Sequence, residues 1–365
     1  MGMDPRIREH AEVLVDHSTE IQQGDNVLIR GQPAAEDLVV AVNELCAERG
    51  ATTSVSMGSS RASRAYMRAV DEEDIELNEM ALAEIEAADA MISIRGQQNM
   101  SEQSDVPPET RQKQSTENKP IQQEYLEKRW NGTQFPTPSG AQKAEMSTEA
   151  YEEFVWSAVN KDWDAVEEYQ SQLVDILEDA DEVHIKSGET TDVRMSIEGN
   201  IVKNDCGKHN MPGGEVFTAP IADSVEGEVL FDKPVMVHGR EVLGARLVFE
   251  DGEVVEHDAE KNEEMLTSLL ETDEGAKRLG ELGIGMNRDI DQFTYNMLFD
   301  EKMGDTVHMA IGRAYDECVG EKQEANESAV HVDMIVDMSE ESFIEVDGEI
   351  VQRNGTFRFE DGFEA

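Results

Sequence analysis

The chain is short of cations and cysteines and has no long apolar run, and each shortage removes a class of protein. No stretch approaches the ~18–20 consecutive apolar residues of a membrane-spanning helix, so no span is expected. The N-terminal Met1-Gly2-Met3-Asp4-Pro5-Arg6 leads into an amphipathic segment without an apolar core, so no signal peptide is expected either. The three cysteines, Cys46, Cys206 and Cys318, are isolated, with no C-x-x-C pair. That spacing excludes a disulfide framework and points to a reducing compartment. Gly58 follows a predicted strand but lacks the G-x-G-x-x-G company of a dinucleotide-binding turn, which leaves a Rossmann oxidoreductase without support. The expectation is a soluble, cytoplasmic protein.

The scarcest feature is positive charge. Lys and Arg total 31 against 80 Asp and Glu, a net charge of −49. The acids are dispersed rather than gathered in a tail, as in Glu72-Glu73-Asp74-Ile75-Glu76 and Glu178-Asp179-Ala180-Asp181-Glu182. Such a surface repels nucleic acid phosphates and anionic lipid headgroups, so neither is an expected partner. It also repels itself in dilute buffer, whereas at 1 M salt the screening length falls to about 3 Å. The composition therefore points to a halophile, such as a salt-in archaeon.

At 365 residues the chain is long enough for about two domains. The first part alternates helix and strand. An amphipathic helix is predicted over 6–22, a strand over 26–31, and a helix from Pro33 to Arg49 that stops at Gly50. Leu38, Val39, Val42 and Leu45 share one face of that helix at the 3.6 period. A strand over 52–57, helices near 60–70 and 77–87, and a strand over 90–95 follow. That order implies a parallel sheet flanked by helices. The polar stretch 97–120 reads as a surface loop running into a helix, before a fourth strand near 128–135 and helices through 147–179.

The pattern changes near residue 182. Segments 182–187 and 192–197 alternate as strands, and Asp251-Gly252 and Asp347-Gly348 are strong hairpin turns. A helical stretch is predicted near 259–279. The expected fold is α/β overall. Residues 1–181 form an N-terminal α/β domain with a mostly parallel sheet. Residues 182–365 form a C-terminal α+β domain, rich in antiparallel strands, that carries the metal site.

All the candidate ligands fall in that second half. Val330-His331-Val332-Asp333-Met334-Ile335-Val336 reads as a strand, so His331 and Asp333 project to one face and the apolar Val330, Val332 and Met334 to the other. Two polar groups in an apolar strand cost stability unless something pairs with them, and a metal ion is one such partner. A solvated face or a hydrogen-bonded pair would serve as well. Glu215 follows a Pro-Gly-Gly turn, and Glu281 sits in the Gly-flanked run Leu279-Gly280-Glu281-Leu282-Gly283-Ile284-Gly285. His308 lies in the apolar Val307-His308-Met309-Ala310-Ile311, where a single histidine is more often a core residue than a ligand. The remaining histidines, His10, His17, His184, His209, His238 and His257, lack ligand-like company.

Taken in order, NMPGGEVFTAP, LGELG, YNMLFDEK, VHMAIGRAY and NESAVHVDMIVD resemble the thermophilic-type metallo-aminopeptidases, the family of aminopeptidase T and aminopeptidase S. Ser104-Asp105-Val106-Pro107-Pro108-Glu109 and Gly132-Thr133-Gln134-Phe135-Pro136-Thr137-Pro138 extend the likeness to nearly the whole chain, from about residue 5 to about 355. The resemblance implies metal ligands at Glu215, Glu281, His308, His331 and Asp333, and catalytic roles for Tyr315 and Glu281. It also implies a homodimer and a peptide substrate with a free N-terminus. Five ligands suit two divalent ions if one carboxylate bridges, and imidazole with carboxylate does not choose among zinc, cobalt and manganese. Such ions activate water for attack on a peptide bond. The sequence departs from the family between Phe299 and His308, where Asp-Glu-Lys-Met-Gly-Asp-Thr-Val replaces a smaller, more neutral stretch, and at Asp337. A metal-binding scaffold without peptidase activity, and a metal-dependent amidase or dipeptidase, are the alternatives.

From spacing alone, Tyr315 lies two helical turns after His308 in a helix, and faces away from it in a strand unless a bulge near Gly312 intervenes.

Overall fold

The computed structural model describes residues 3–237 and 239–364, so His238 lies outside the described residues. The chain divides into two compact units, Met1–Lys161 with Gly207–Gly213, and Asp162–Cys206 with Gly214–Ala365.

In the first unit five parallel strands lie in the order Thr52–Met57, Asn26–Gly31, Ala90–Arg95, Arg129–Gln134 and Asn210–Met211. The inner strands carry continuous buried runs, Val27-Leu28-Ile29 and Ala90-Met91-Ile92, as a parallel sheet covered on both faces requires. The helix Glu36–Glu48 buries Leu38, Val39, Val42 and Leu45. The first helix is shorter than its amphipathic pattern predicts. Pro5–Glu12 is α-helical, but the chain loosens into a π-helical turn over Val13–Ser18 and ends there. Within the polar stretch 97–120, helix begins at Pro108 and runs to Glu117. The segment Pro-Glu-Thr-Arg-Gln-Lys-Gln-Ser-Thr-Glu buries only Thr110, so it has no apolar face by which to announce itself.

The second unit is mainly antiparallel. Its eight-stranded sheet runs in the order Glu253–Asp258, Ala245–Glu250, Glu226–Phe231, Thr191–Ser196, Glu182–Ser187, Ser342–Val346, Glu349–Arg353 and Thr356–Phe357. Both Asp-Gly turns have left-handed backbones at each residue, Asp251 at φ 50° with Gly252 at 76°, and Asp347 at 49° with Gly348 at 84°. That is the primed-turn geometry for which Asp-Gly is favoured. A five-stranded antiparallel sheet follows the order His331–Asp337, Thr306–Gly312, Leu279–Gly285, Glu215–Thr218 and Lys203–Asp205. The two sheets share one core, in which Val183, Ile185, Val229 and Leu247 of the larger meet Val216, Leu282, Met309 and Met334 of the smaller.

The boundary at 182 marks where the hydrophobic period changes, but the second unit begins at Asp162. The helix Trp163–Leu177 belongs to it because Leu173 and Leu177 enter its core and Gln170 hydrogen-bonds its strands. The helix predicted near 259–279 is confined to Glu263–Leu270, with a 3-10 turn at Gly275–Lys277 and the strand starting at Leu279.

Candidate metal centre

Alternation along the smaller sheet separates two kinds of residue. Val216, Leu282, Ile284, Val307, Met309, Ile311, Met334 and Val336 turn inward to the core. The intervening positions, Glu215, Phe217, Glu281, Gly283, His308, Ala310, His331 and Asp333, share the other face, as period two demands. Register brings them side by side. Glu281, Ala310 and Asp333 form one row across three strands, and Phe217, Gly283 and His308 form the next. Ala310 is small enough to leave Glu281 and Asp333 open to each other. Gly283 is required: a Cβ there would overlap the His308 ring.

The five predicted ligands converge. Ligand atoms of Glu215, Glu281 and His308 lie within 4.8 Å of one another, as do those of Glu281, His331 and Asp333, so Glu281 belongs to both groups. His308 Nε2 is 3.2 Å from Glu215 Oε2 and 3.2 Å from Glu281 Oε1. His331 Nε2 is 3.4 Å from Glu281 Oε2 and 3.5 Å from Asp333 Oδ1. Glu215, Glu281 and His308 are buried, and His331 and Asp333 half-buried.

These residues fit a divalent cation. His331 Nδ1 lies 2.7 Å from the Arg313 carbonyl and must donate to it, which leaves Nε2 of the neutral ring with a lone pair facing two carboxylate oxygens. Glu215 Oε2, Glu281 Oε2 and His308 Nδ1 are buried without a hydrogen bond. Acceptors turned on one another in the interior need a cation or protons between them.

Protons fill that role when no metal is bound. Burial opposes a charge on His308, but the Glu281 hydrogen bond and the charge of Glu215 prevail and raise it to about 10. Burial likewise opposes His331, and Asp333 and Glu281 raise it to about 9. Burial pushes Glu215 up to about 8 against the pull of Lys302, and burial also raises Glu281. Asp333 is held below the usual carboxylate range, its burial outweighed by His331.

A model described as thermophilic metalloprotease (M29) matches residues 3–357. The chain belongs to that family. It is 42% identical over 151 residues to Aminopeptidase T of Thermus thermophilus, covering 38% of this chain and 36% of the relative. It is 38% identical over 170 residues to Aminopeptidase AmpS of Bacillus subtilis, covering 41% and 40%. These aligned stretches thus span well under half of each relative's own length. The solved structure of wild-type AmpT from Thermus thermophilus superposes with a TM-score of 0.86 at 26% identity, over 98% of this chain and 100% of that one. A 2,5-dihydroxypyridine dioxygenase from Pseudomonas putida shares the fold alone, with a TM-score of 0.60 at 14% identity over 99% of both chains.

In this M29 chain Tyr315 lies beyond the strand Thr306–Gly312. Gly312 takes φ 107°, and the backbone leaves the strand there, with Arg313 N donating to the Val330 carbonyl. Strand alternation therefore stops applying before residue 315. The Tyr315 ring comes to rest 4.7 Å from that of His331 and 6.4 Å from that of Phe217. Desolvation and the charges of Glu281 and Asp333 push its phenol well above the usual range.

Behind the ligands lies a second set of buried polar residues. Lys302 has no exposed surface, and its Nζ is 3.0 Å from Glu215 Oε1. Gln170 Nε2 reaches Asn204 Oδ1 at 2.6 Å and the carbonyls of Asp205 and Glu215 at 3.2 Å each. The stretch holding Lys302 reads as a polar departure from the family, yet it is bracketed by Leu298, Phe299 and Met303, all buried. A cation inside an apolar bracket was the available signal. Of the other histidines, His184 pairs with Asp192 at 2.7 Å, and His257 Nε2 meets Thr267 Oγ1 at 2.8 Å.

Proposed function

We propose that the chain is a metal-dependent aminopeptidase that removes the N-terminal residue of peptides, with Glu215, Glu281, His308, His331 and Asp333 as the ligands of two divalent ions. The observation that carries this reading is the sharing of Glu281 between two ligand groups, beside an imidazole turned so that its Nε2 faces inward. When bound, such ions acidify water and offset negative charge developing on a carbonyl oxygen.

The chain's own residues supply the rest. A bound ion would offer a place to the free α-amine of a peptide and none to an acylated nitrogen, which is why the N-acetyl substrate discriminates. Tyr315, protonated at neutral pH like any phenol of ordinary pKa about 10, donates a hydrogen bond from its hydroxyl to the developing oxyanion. Glu281, the residue common to both ligand groups, would help hold the ions and stands at the centre of the site. The ions are zinc, cobalt or manganese, the second unit is the catalytic one, and the enzyme works as a cytoplasmic homodimer. Among the described residues no helix is long and apolar enough to cross a membrane. The charge of −49 supports a protein built for molar salt.

The test is hydrolysis of leucyl-p-nitroanilide in molar KCl by chelator-stripped protein, then with cobalt or zinc restored, beside the N-acetyl substrate and a Tyr315→Phe variant. The expected result is metal-dependent cleavage of the free-amine substrate alone, with kcat in the variant down about 100- to 1,000-fold and its metal content unchanged. Cleavage of the acetylated substrate would identify an amidase instead. Metal binding without turnover would identify a scaffold.

A further inference from the structure

Three carboxylates surround a lysine with no exposed surface. Lys302 Nζ lies 3.0 Å from Glu215 Oε1 and 3.7 Å from Asp205 Oδ2, and it pairs with Glu301. An ammonium stays in such a place only if its neighbours offset the loss of water. This chain has 31 cations to oppose 80 acids, and it places one of them in the interior beside a candidate ligand.

The two oxygens of Glu215 have different surroundings. Oε1 faces Lys302, whereas Oε2 takes no hydrogen bond and lies 3.2 Å from His308 Nε2. Asp205 stands directly opposite Glu215 across the edge of the sheet, and Gln170 ties the backbones of both. Glu215, Asp205 and Glu301 are therefore all close enough to compete for a cation, while only Glu215 joins the ligand groups.

We propose that Lys302 is a positioning residue that decides which carboxylate oxygen reaches the metal. It holds Glu215 by Oε1, so that Oε2 alone is presented, and it occupies Asp205 and Glu301, so that neither is recruited. The proposal rests on the metal-site reading above and adds a residue that touches neither metal nor substrate.

Cobalt titration separates the two. Wild type, Lys302→Met and Lys302→Gln are stripped of metal and titrated with cobalt in molar KCl, by calorimetry and by visible absorption. Methionine matches the length of the lysine stem, and glutamine retains a donor. Saturable binding by wild type is expected. In Lys302→Met the Kd rises about 10- to 100-fold, the usual range for removing a ligand's partner. Its cobalt bands weaken and shift, because Glu215 chelates through both oxygens or Asp205 enters. Lys302→Gln falls between the two. A merely structural lysine would lower the melting temperature of the metal-free protein and leave Kd and bands alone. Kd within twofold of wild type with unchanged bands overturns the proposal. So does failure of both variants to fold, which would make Lys302 a residue of the fold rather than of the site. Absence of saturable binding by wild type overturns the metal-site reading itself.

Discussion

Two histidines, one in each unit, are equally hidden from water and are driven in opposite directions. His10 is 0% exposed and His308 1% exposed. His10 Nε2 meets Thr133 Oγ1 at 2.9 Å, and that hydroxyl donates to the Met211 carbonyl, so the ring is the donor. The edge of Trp156 lies beside it, with ring centroids 5.5 Å apart. With no counter-charge, burial pushes His10 down to about 3. His308 faces Glu215 and Glu281, and the same burial is overcome, leaving it near 10. Burial thus says nothing about whether a histidine is a ligand. The decisive property is the charge brought opposite it by other strands, and that depends on register rather than on adjacent residues.

The contrast can be broken most severely at Glu281. Glu281→Gln removes the residue common to both ligand groups, and cobalt binding by calorimetry should be abolished. His10→Gln should bind cobalt as wild type does and lose only a few degrees of melting temperature. Equal loss in the two variants would end the distinction.

Acid and alkaline limbs of stability come next. The ordinary histidine pKa is ~6.5. His10 is lowered in the folded state, so below that value the unfolded chain binds more protons. Its contribution is present near neutrality and disappears as pH falls from 6.5 toward 3, an upper bound of about 4–5 kcal/mol. His308 is raised, so in the metal-free protein its contribution is complete below 6.5 and disappears as pH rises toward 10. Urea unfolding of metal-free protein from pH 4 to 10 should show His10→Gln flattening the acid limb alone. A smaller effect than that of Glu281→Gln is expected from Gly283→Ala, whose methyl must push the His308 ring aside. The added methyl displaces the His308 ring without removing a ligand, and cobalt affinity should fall about tenfold, with no change in the first unit's environment as read by Trp156 fluorescence.

Much of the fold could be read in advance because it rests on local rules. Asp251-Gly252 and Asp347-Gly348 select their turns by backbone preference, and Leu38, Val39, Val42 and Leu45 mark a helix face by spacing. His331 and Asp333 share a face for the same reason. The rest of the site is not local. The Pro-Gly-Gly turn before Glu215 and the glycines around Glu281 mark their segments without separating a ligand from an exposed carboxylate among 80 acids, and the likeness of whole segments is what singles them out. Lys302 is marked only by its apolar bracket, because its partners Asp205 and Glu215 are distant: Asp205 is 97 positions away in the chain and is brought beside Glu215 by sheet pairing. Tyr315 could not be placed by period at all, since a left-handed glycine intervenes.

The smaller sheet keeps cohesion on one side and chemistry on the other, and the two are divisible. Odd and even positions of the same strand answer to different demands, so a change that rewrites the reactive surface need not touch the residues that bind the sheets together. Such a sheet is a replaceable faceplate on a fixed chassis. A protein engineer could exchange Glu281, His308, His331 and Asp333 for another donor set while leaving Leu282, Met309 and Met334 in place.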